Sequence, residues 1–336
     1  MSKVFIIAAV ASFVITSVSG VWLLPMLRKL KFGQTILDIG PRWHKNKEGT
    51  PTMGGIMFIF GVTISVLVSM IAVKSGLAVS DRPDSAVIQA RLFYGLMLAL
   101  AFGLLGFFDD YLKVVKKRNE GLTPNQKLAF QILFGCLYIF ALYISGSRDT
   151  VLVLPFIGTL DIGILYYPFA LFAILALSNA VNITDGLDGL LSSVTFVVAL
   201  AYMIITVILG MQELGIMAAA MAGGCLGFLV WNFYPAKVFM GDTGSLFLSG
   251  LVIALAFGSG LPMFVVLIGV IYVIEVGSVL IQMLYFKATH GKRLFKMSPI
   301  HHHYEMSGYS EVQIVIAFTL ITLLGSALAI WAVLQI

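Results

Sequence analysis

Five segments of this chain gather residue types suited to phosphoryl or metal chemistry. In Gly106-Phe107-Phe108-Asp109-Asp110-Tyr111 two adjacent acids end an apolar run, followed by Lys113, Lys116 and Lys117. Adjacent helical residues point about 100° apart, so these carboxylates divide their labour. They bind a hard cation such as Mg2+, or one takes a proton while the other orients a cationic neighbour. A solvated helix end paired with Lys113 is the plainer reading, but a helix C-terminus disfavours acids. Asn179, Asn182, Asp185 and Asp188 recur every third residue, a spacing that puts each beside the next on a helical surface. Gly186 and Gly189 between them let backbone approach a ligand, so the series suits a uracil edge, a ribose, a sugar or a cation. Capping would explain one Asp of the series.

Asp242, between Gly241 and Gly244 and preceded by Asn232, is expected in a tight turn that projects it as a metal ligand. It could instead cap the eighth helix, although Thr243 or Ser245 would suffice for that. His301, His302 and His303 cannot all face one site, so one or two reach substrate while another braces the loop. Zinc is disfavoured, because the loops hold no cysteine and only His44 and His290 could join. A transferred phosphate suits the imidazoles better. The segment His44-Lys45-Asn46-Lys47-Glu48-Gly49-Thr50-Pro51-Thr52-Met53-Gly54-Gly55 puts cations, hydroxyls and paired glycines before a helix, an anion-binding composition in which Thr52 could serve as the cap.

The elements that position these residues are membrane helices. Of 336 residues 60% are hydrophobic and 11% charged, against roughly 25% charged in soluble domains. Soluble, disordered, collagenous and nucleic-acid-binding classes are excluded. A helix spans the hydrocarbon core with about 20 apolar residues. Ten runs qualify, with approximate cores at 4–27, 53–73, 92–108, 128–144, 162–181, 190–209, 214–231, 245–261, 263–286 and 312–336. Lys and Arg test this division. Sixteen of the 21 fall in odd-numbered loops and five in even loops or at the N-terminus, which places the odd loops in the cytoplasm and both termini outside. Every histidine then lies on the cytoplasmic side, as do the five aspartates 109, 110, 185, 188 and 242. The first run, at 24 residues, is too long for the roughly 7–15-residue core of a signal peptide. Branched residues alternating around Pro155 and Gly158 predict a short external β-hairpin. Cys136 and Cys225 sit in apolar runs and define no framework. The chain reads as one all-α integral membrane domain over 1–336, its active site on the cytoplasmic face. Glu275, alone near the bilayer midplane, is read as an interhelical hydrogen bond and given no chemistry.

At Gly49 to Gly55, Asp109-Asp110, Asn182 to Gly189, Gly241-Asp242-Thr243-Gly244 and Pro299 to Tyr304, the sequence resembles the polyprenyl-phosphate N-acetylhexosamine-1-phosphate transferase superfamily. Within it the resemblance is closest to the branch acting on muramoyl-pentapeptide. It implies ten helices, a homodimer and a multi-pass protein of the bacterial plasma membrane. The implied reaction moves phospho-MurNAc-pentapeptide from UDP-MurNAc-pentapeptide to undecaprenyl phosphate, with Mg2+ required and UMP released. Catalysis then falls on Asp109, Asp110, Asp242 and His301, with Asp242 the favoured magnesium ligand. Uridine contacts fall on Gly186, Leu187, Asp188 and Phe239, and Lys45 or Lys47 contacts the nucleotide. Substrate binding extends to Thr52, Lys113, Lys117, Asn179, Asn182, Asp185, Asn232, His302 and His303. A phosphomonoester with a second pKa near 6 is already mostly dianionic at pH 7, favouring direct displacement over an aspartyl intermediate. Two other readings stand beside this one: a transferase placing GlcNAc-1-phosphate on the same lipid, and a proton- or cation-coupled transporter.

Overall fold

The computed structural model describes residues 2–29, 47, 49–73, 75, 84–115 and 121–336. Its helices are α1 (Ser2–Lys29), α2 (Gly55–Ala72), α3 (Ser85–Val115), α4 (Pro124–Ile144), α5 (Tyr166–Ile183), α6 (Leu190–Ile208), α7 (Gln212–Asn232), α8 (Gly241–Gly258), α9 (Val265–Ile268), α10 (Val270–Ala288), α11 (Ile300–Glu305) and α12 (Glu311–Val333). All but α9 and α11 are long and apolar enough to cross a bilayer, giving ten candidate spans among the described residues. The hairpin lies where alternation predicts it, with β1 (Val151–Leu154) antiparallel to β2 (Gly158–Asp161) and Leu152 opposite Leu160.

In lipid, apolar side chains gain little by leaving the solvent, so helices associate where small residues let backbones touch. α3 and α8 follow this rule along their length. Gly95 faces Ala254, Gly250 faces Ala99, Gly103 faces Phe247, and a Cβ on Gly106 would lie 2.0 Å from the Asp242 carbonyl oxygen. The pairing is antiparallel, and it sets Asp109 and Asp110, three and four residues past Gly106, against the start of α8. α8 is central, with 89% of its apolar stretch buried, whereas α4, with 22%, lies at the lipid-facing edge. α1 and α2 pack on α7, α5 lies between α8 and α10, and α12 closes against α6 and α9.

Two helices differ from the sequence reading. α3 does not end at the acid pair but runs on to Val115. The acids continue the helix because each finds partners there, Asp109 through Lys113 one turn on and Asp110 through α8. The ninth run is not one helix, since Gly269 (φ −105°, ψ 35°) separates α9 from α10. A side chain at Gly269 would meet the Tyr272 ring, and Gly325 of α12 approaches the Leu267 carbonyl so closely that a Cβ would lie 2.3 Å from it.

At the end opposite the acids, Arg91 donates to Ser147 Oγ (2.8 Å) and to the Gly258 carbonyl (3.0 Å). Phe156 at the hairpin tip meets Trp331 of α12 with ring centroids 5.2 Å apart. The hairpin and the C-terminal ends of α4, α8 and α12 thus share one face of the bundle.

Candidate active site

Oxygens of Asp109, Asp110 and Asp242 lie within 4.8 Å of one another. Two lysines join them. Lys113 Nζ lies 2.6 Å from Asp109 Oδ2, 3.0 Å from Asp242 Oδ2 and 3.6 Å from Asp110 Oδ1. Lys127 Nζ lies 2.6 Å from Asp242 Oδ2 and 3.2 Å from Asp109 Oδ2. Asn182 donates to Asp242 Oδ1 (3.0 Å) and to Ser245 Oγ (2.7 Å), which aims the Asp242 carboxylate. The Leu122 amide donates to Asp109 Oδ1 at 2.8 Å.

Asp110 has a different role. Its carboxylate accepts from the amides of Asp242 (3.2 Å) and Thr243 (2.9 Å) and from the Thr243 hydroxyl (2.7 Å). Helix α8 has no side-chain cap of its own. Asp110, reaching from α3, supplies the acceptor that a local Ser or Asp ordinarily provides. The cap expected of Asp242, Thr243 or Ser245 therefore comes from another helix. Gly241, at φ 70°, turns the chain into α8, so that Asp242 stands in the first helical turn rather than in a preceding loop. A Cβ on Gly241 would fall 2.4 Å from Asp110 Oδ2.

Around this cluster the loops lock together. The Phe239 amide donates to the Pro51 carbonyl (2.8 Å), while the amides of Gly54 and Gly55 donate to the carbonyls of Phe239 (2.8 Å) and Met240 (3.0 Å). Those partners satisfy the start of α2, which has no side-chain cap, so Thr52 is not its cap. Asp188 Oδ1 pairs with Lys47 Nζ (2.7 Å) and Oδ2 accepts from the Ala236 amide (2.8 Å). Asn232 accepts from the Gly189 amide (3.1 Å) and donates to the Val238 carbonyl (2.9 Å). Burial alone would lower the Lys47 pKa, but Asp188 and Glu311 reverse the sign and hold it above the ordinary lysine value. Burial, with repulsion from Asp242, Asp110 and Asp188, pushes the Asp185 carboxyl well above its ordinary range.

The three histidines fan out on α11. His301 is buried, its Nδ1 lying 3.0 Å from Glu275 Oε2 of α10 and its Nε2 directed at Gly186. A carboxylate only accepts, so this contact assigns the proton to Nδ1. His302 Nδ1 lies 2.7 Å from Glu305 Oε2. His303 Nδ1 accepts from the Lys296 amide at 3.1 Å, bracing the loop.

Not every expected residue converges. The asparagine–aspartate series leaves the helix, because α5 ends at Ile183 and Asp185 and Asp188 lie in the following loop. Asn179 is exposed and bonds the Leu175 carbonyl (2.7 Å) and Gln131 (3.3 Å), away from the acids. Leu187 is buried beneath the loop. His44, Lys45 and Lys117 lie outside the described residues.

Three residues were missed by sequence reasoning: Lys127, counted only as a loop charge, Glu275, given no chemistry, and Glu311. A signal existed for the first. Thr123 and Gln126 form a capping box at the start of α4, which places Lys127 on the first turn of a helix rather than in a loop.

Residues 92–260 match the family model described as glycosyl transferase family 4, and residues 47–59 match phospho-N-acetylmuramoyl-pentapeptide-transferase signature 1. The chain is 45% identical to the phospho-N-acetylmuramoyl-pentapeptide-transferase of Acetivibrio thermocellus, over 96% of this chain and 93% of that protein. It is 44% identical to that of Heliobacterium modesticaldum (97% and 95% covered) and 42% identical to that of Halalkalibacterium halodurans (98% of each).

Proposed function

Because the chain belongs to the phospho-N-acetylmuramoyl-pentapeptide-transferase family, we propose that it transfers phospho-MurNAc-pentapeptide from its UDP carrier to undecaprenyl phosphate, forming lipid I and UMP. It is a multi-pass bacterial membrane transferase. The observation that carries the reading is the meeting of Asp109, Asp110 and Asp242 with Lys113 and Lys127 at one end of the bundle.

The cluster fits Mg2+. Its donors are hard carboxylate oxygens, and among the described residues three carboxylates against two ammonium groups leave a net charge of −1 into which a dication fits. Asp242 would hold the ion, since Asp110 is engaged by the start of α8 and Asp109 serves the acceptor. Bound there, it supplies charge neutralisation at the diphosphate and stabilises the departing UMP.

The acceptor phosphate, mostly dianionic at pH 7, attacks the sugar-linked phosphorus directly. The new oxygen–phosphorus bond forms as the bond to the bridging oxygen breaks, and the electron pair leaves on UMP. Asp109 orients the acceptor or removes its last proton. Lys113 and Lys127 reduce repulsion between acceptor and diphosphate, where developing charge gains most from fixed cations. Asp188, Gly186 and Phe239 form the uridine end, and His301, held by Glu275, meets the sugar phosphate.

The test is direct: purified protein, UDP-MurNAc-pentapeptide, Mg2+ and a polyprenyl phosphate, with UMP measured. UMP release that requires the lipid and Mg2+ is expected. Equal turnover of UDP-GlcNAc would overturn the substrate assignment.

A further inference from the structure

We infer that Glu311, the first residue of α12, is a positioning residue for the nucleotide end of the site, an inference that rests on the function proposed above. Glu311 Oε2 accepts from Lys47 Nζ at 2.6 Å and from the Asp188 amide at 3.2 Å. One carboxylate oxygen thus fixes both the backbone of Asp188 and the ammonium that pairs with its side chain. The Glu311 side chain is only 9% exposed, so these contacts are shielded from water and stronger than a surface pair.

The helix does not require this arrangement. Ser310 accepts from the Gln313 amide and Gln313 reaches back to the Ser310 amide, a complete capping box that satisfies the start of α12 without Glu311. Among the described residues one ammonium, that of Lys47, answers both Asp188 and Glu311 and ties the two carboxylates together. With Asp188 held at its amide, at Oδ1 by Lys47 and at Oδ2 by Ala236, the remaining lone pairs of its carboxylate have a fixed direction. Fixed acceptors of this kind suit the N–H edge of a pyrimidine or the hydroxyls of a ribose.

The placement of Glu311 also joins two halves of the site. α11 and α12 are consecutive in the chain, and they hold one loop at two points, His301 at Gly186 and Glu311 at Asp188. A substitution at Glu311 therefore acts on the nucleotide through the loop, with no contact to the reacting phosphorus.

Glu311→Gln keeps the shape and an acceptor oxygen but removes the charge. UMP titrated into the purified full chain, without acceptor lipid, reads binding alone. Losing the charge-assisted contacts is expected to weaken UMP about tenfold or more. KM for the UDP-linked donor should rise in parallel, with kcat changed by less than about twofold. Glu311→Asp, which keeps the charge, should recover part of the affinity. If Glu311→Gln binds UMP like the wild type while Asp188→Asn loses it, the inference fails and the proposed function stands. A variant whose stability and kcat fall together with KM unmoved would make Glu311 merely structural and also overturn the inference. Wild-type protein that does not bind UMP would overturn the functional reading itself.

Discussion

The position of Asp110 yields a prediction that separates fold from chemistry within the acid cluster. Asp110→Asn retains one carboxamide oxygen and replaces the other acceptor by an NH2. If that oxygen stays with the Thr243 amide (2.9 Å) and hydroxyl (2.7 Å), the NH2 is directed at the Asp242 amide, formerly 3.2 Å from an acceptor. One hydrogen bond to the end of α8 becomes a donor facing a donor, and the surviving two lose their charge assistance. A capping interaction is worth about 1 kcal/mol, and the charge at a helix N-terminus contributes roughly 0.3–1 kcal/mol, more when partly buried. Adding a buried unsatisfied amide at roughly 1–3 kcal/mol brings the expected loss to about 2–5 kcal/mol. Thermal unfolding in detergent, followed by tryptophan fluorescence, should show Asp110→Asn melting several degrees below the wild type. Its UMP release should fall most steeply as the assay approaches that lowered temperature. An Asp110→Asn protein that melts with the wild type yet turns over at no temperature would refute the capping role and make Asp110 a direct participant in the chemistry.

Asp242→Asn should abolish Mg2+-dependent turnover while circular dichroism stays helical; normal Mg2+-dependent activity would remove Asp242 from the metal site. Glu275→Gln should lower kcat about tenfold or more by releasing the His301 ring, with UMP affinity retained, since outer partners of a working histidine typically matter to that extent; unchanged kcat would return Glu275 to a packing role. Asp185 has its folded pKa raised by burial first, so its neutral form is favoured in the fold. The stability this gives is complete below the unfolded carboxylate pKa near 4 and is lost as pH rises through the folded value. Asp185→Asn should therefore melt like the wild type near pH 4 and above it at neutral and alkaline pH; a lower melting temperature at pH 8 would contradict the assignment. With Cys136 replaced by Ser, cysteine at Ile157 of the hairpin should react with an impermeant reagent in intact cells and cysteine at Lys292 should not; the reverse pattern would invert the membrane orientation.

Much of this architecture is legible because lipid allows so few solutions. Helix count follows from the length of apolar runs and their division by charge, since a spanning segment must satisfy its own backbone. The places that failed are those where hydropathy carries no signal. Hydropathy does not mark the break at Gly269, beside which Gly325 of α12, 56 residues on, packs against the Leu267 carbonyl. The acids end the apolar stretch of α3, whereas the helix itself ends six residues beyond Asp109. The site's residue types were legible but their partners were not: the acceptor for the start of α8 lies 132 positions away in Asp110.

Charge supplies a rule that extends the reading. An ionisable group in an apolar helix is costly unless another element answers it. Applied to Glu275, the rule demands a donor, and the structure provides His301, 26 residues away. Applied to Lys127, it demands an acid, and Asp242 and Asp109 meet it. Glu213 tests the rule at its edge. It is 1% exposed, and neither carboxylate oxygen has a hydrogen-bond partner among the described residues. Its place in the first turn of α7 gives it the field of a helix N-terminus, which favours an acid without a paired side chain. The same field acts on Asp242 in the first turn of α8, but there two lysines and an asparagine are added. That surplus of partners, more than burial of one acid requires, is why Asp242 rather than Glu213 is the acid proposed for chemistry.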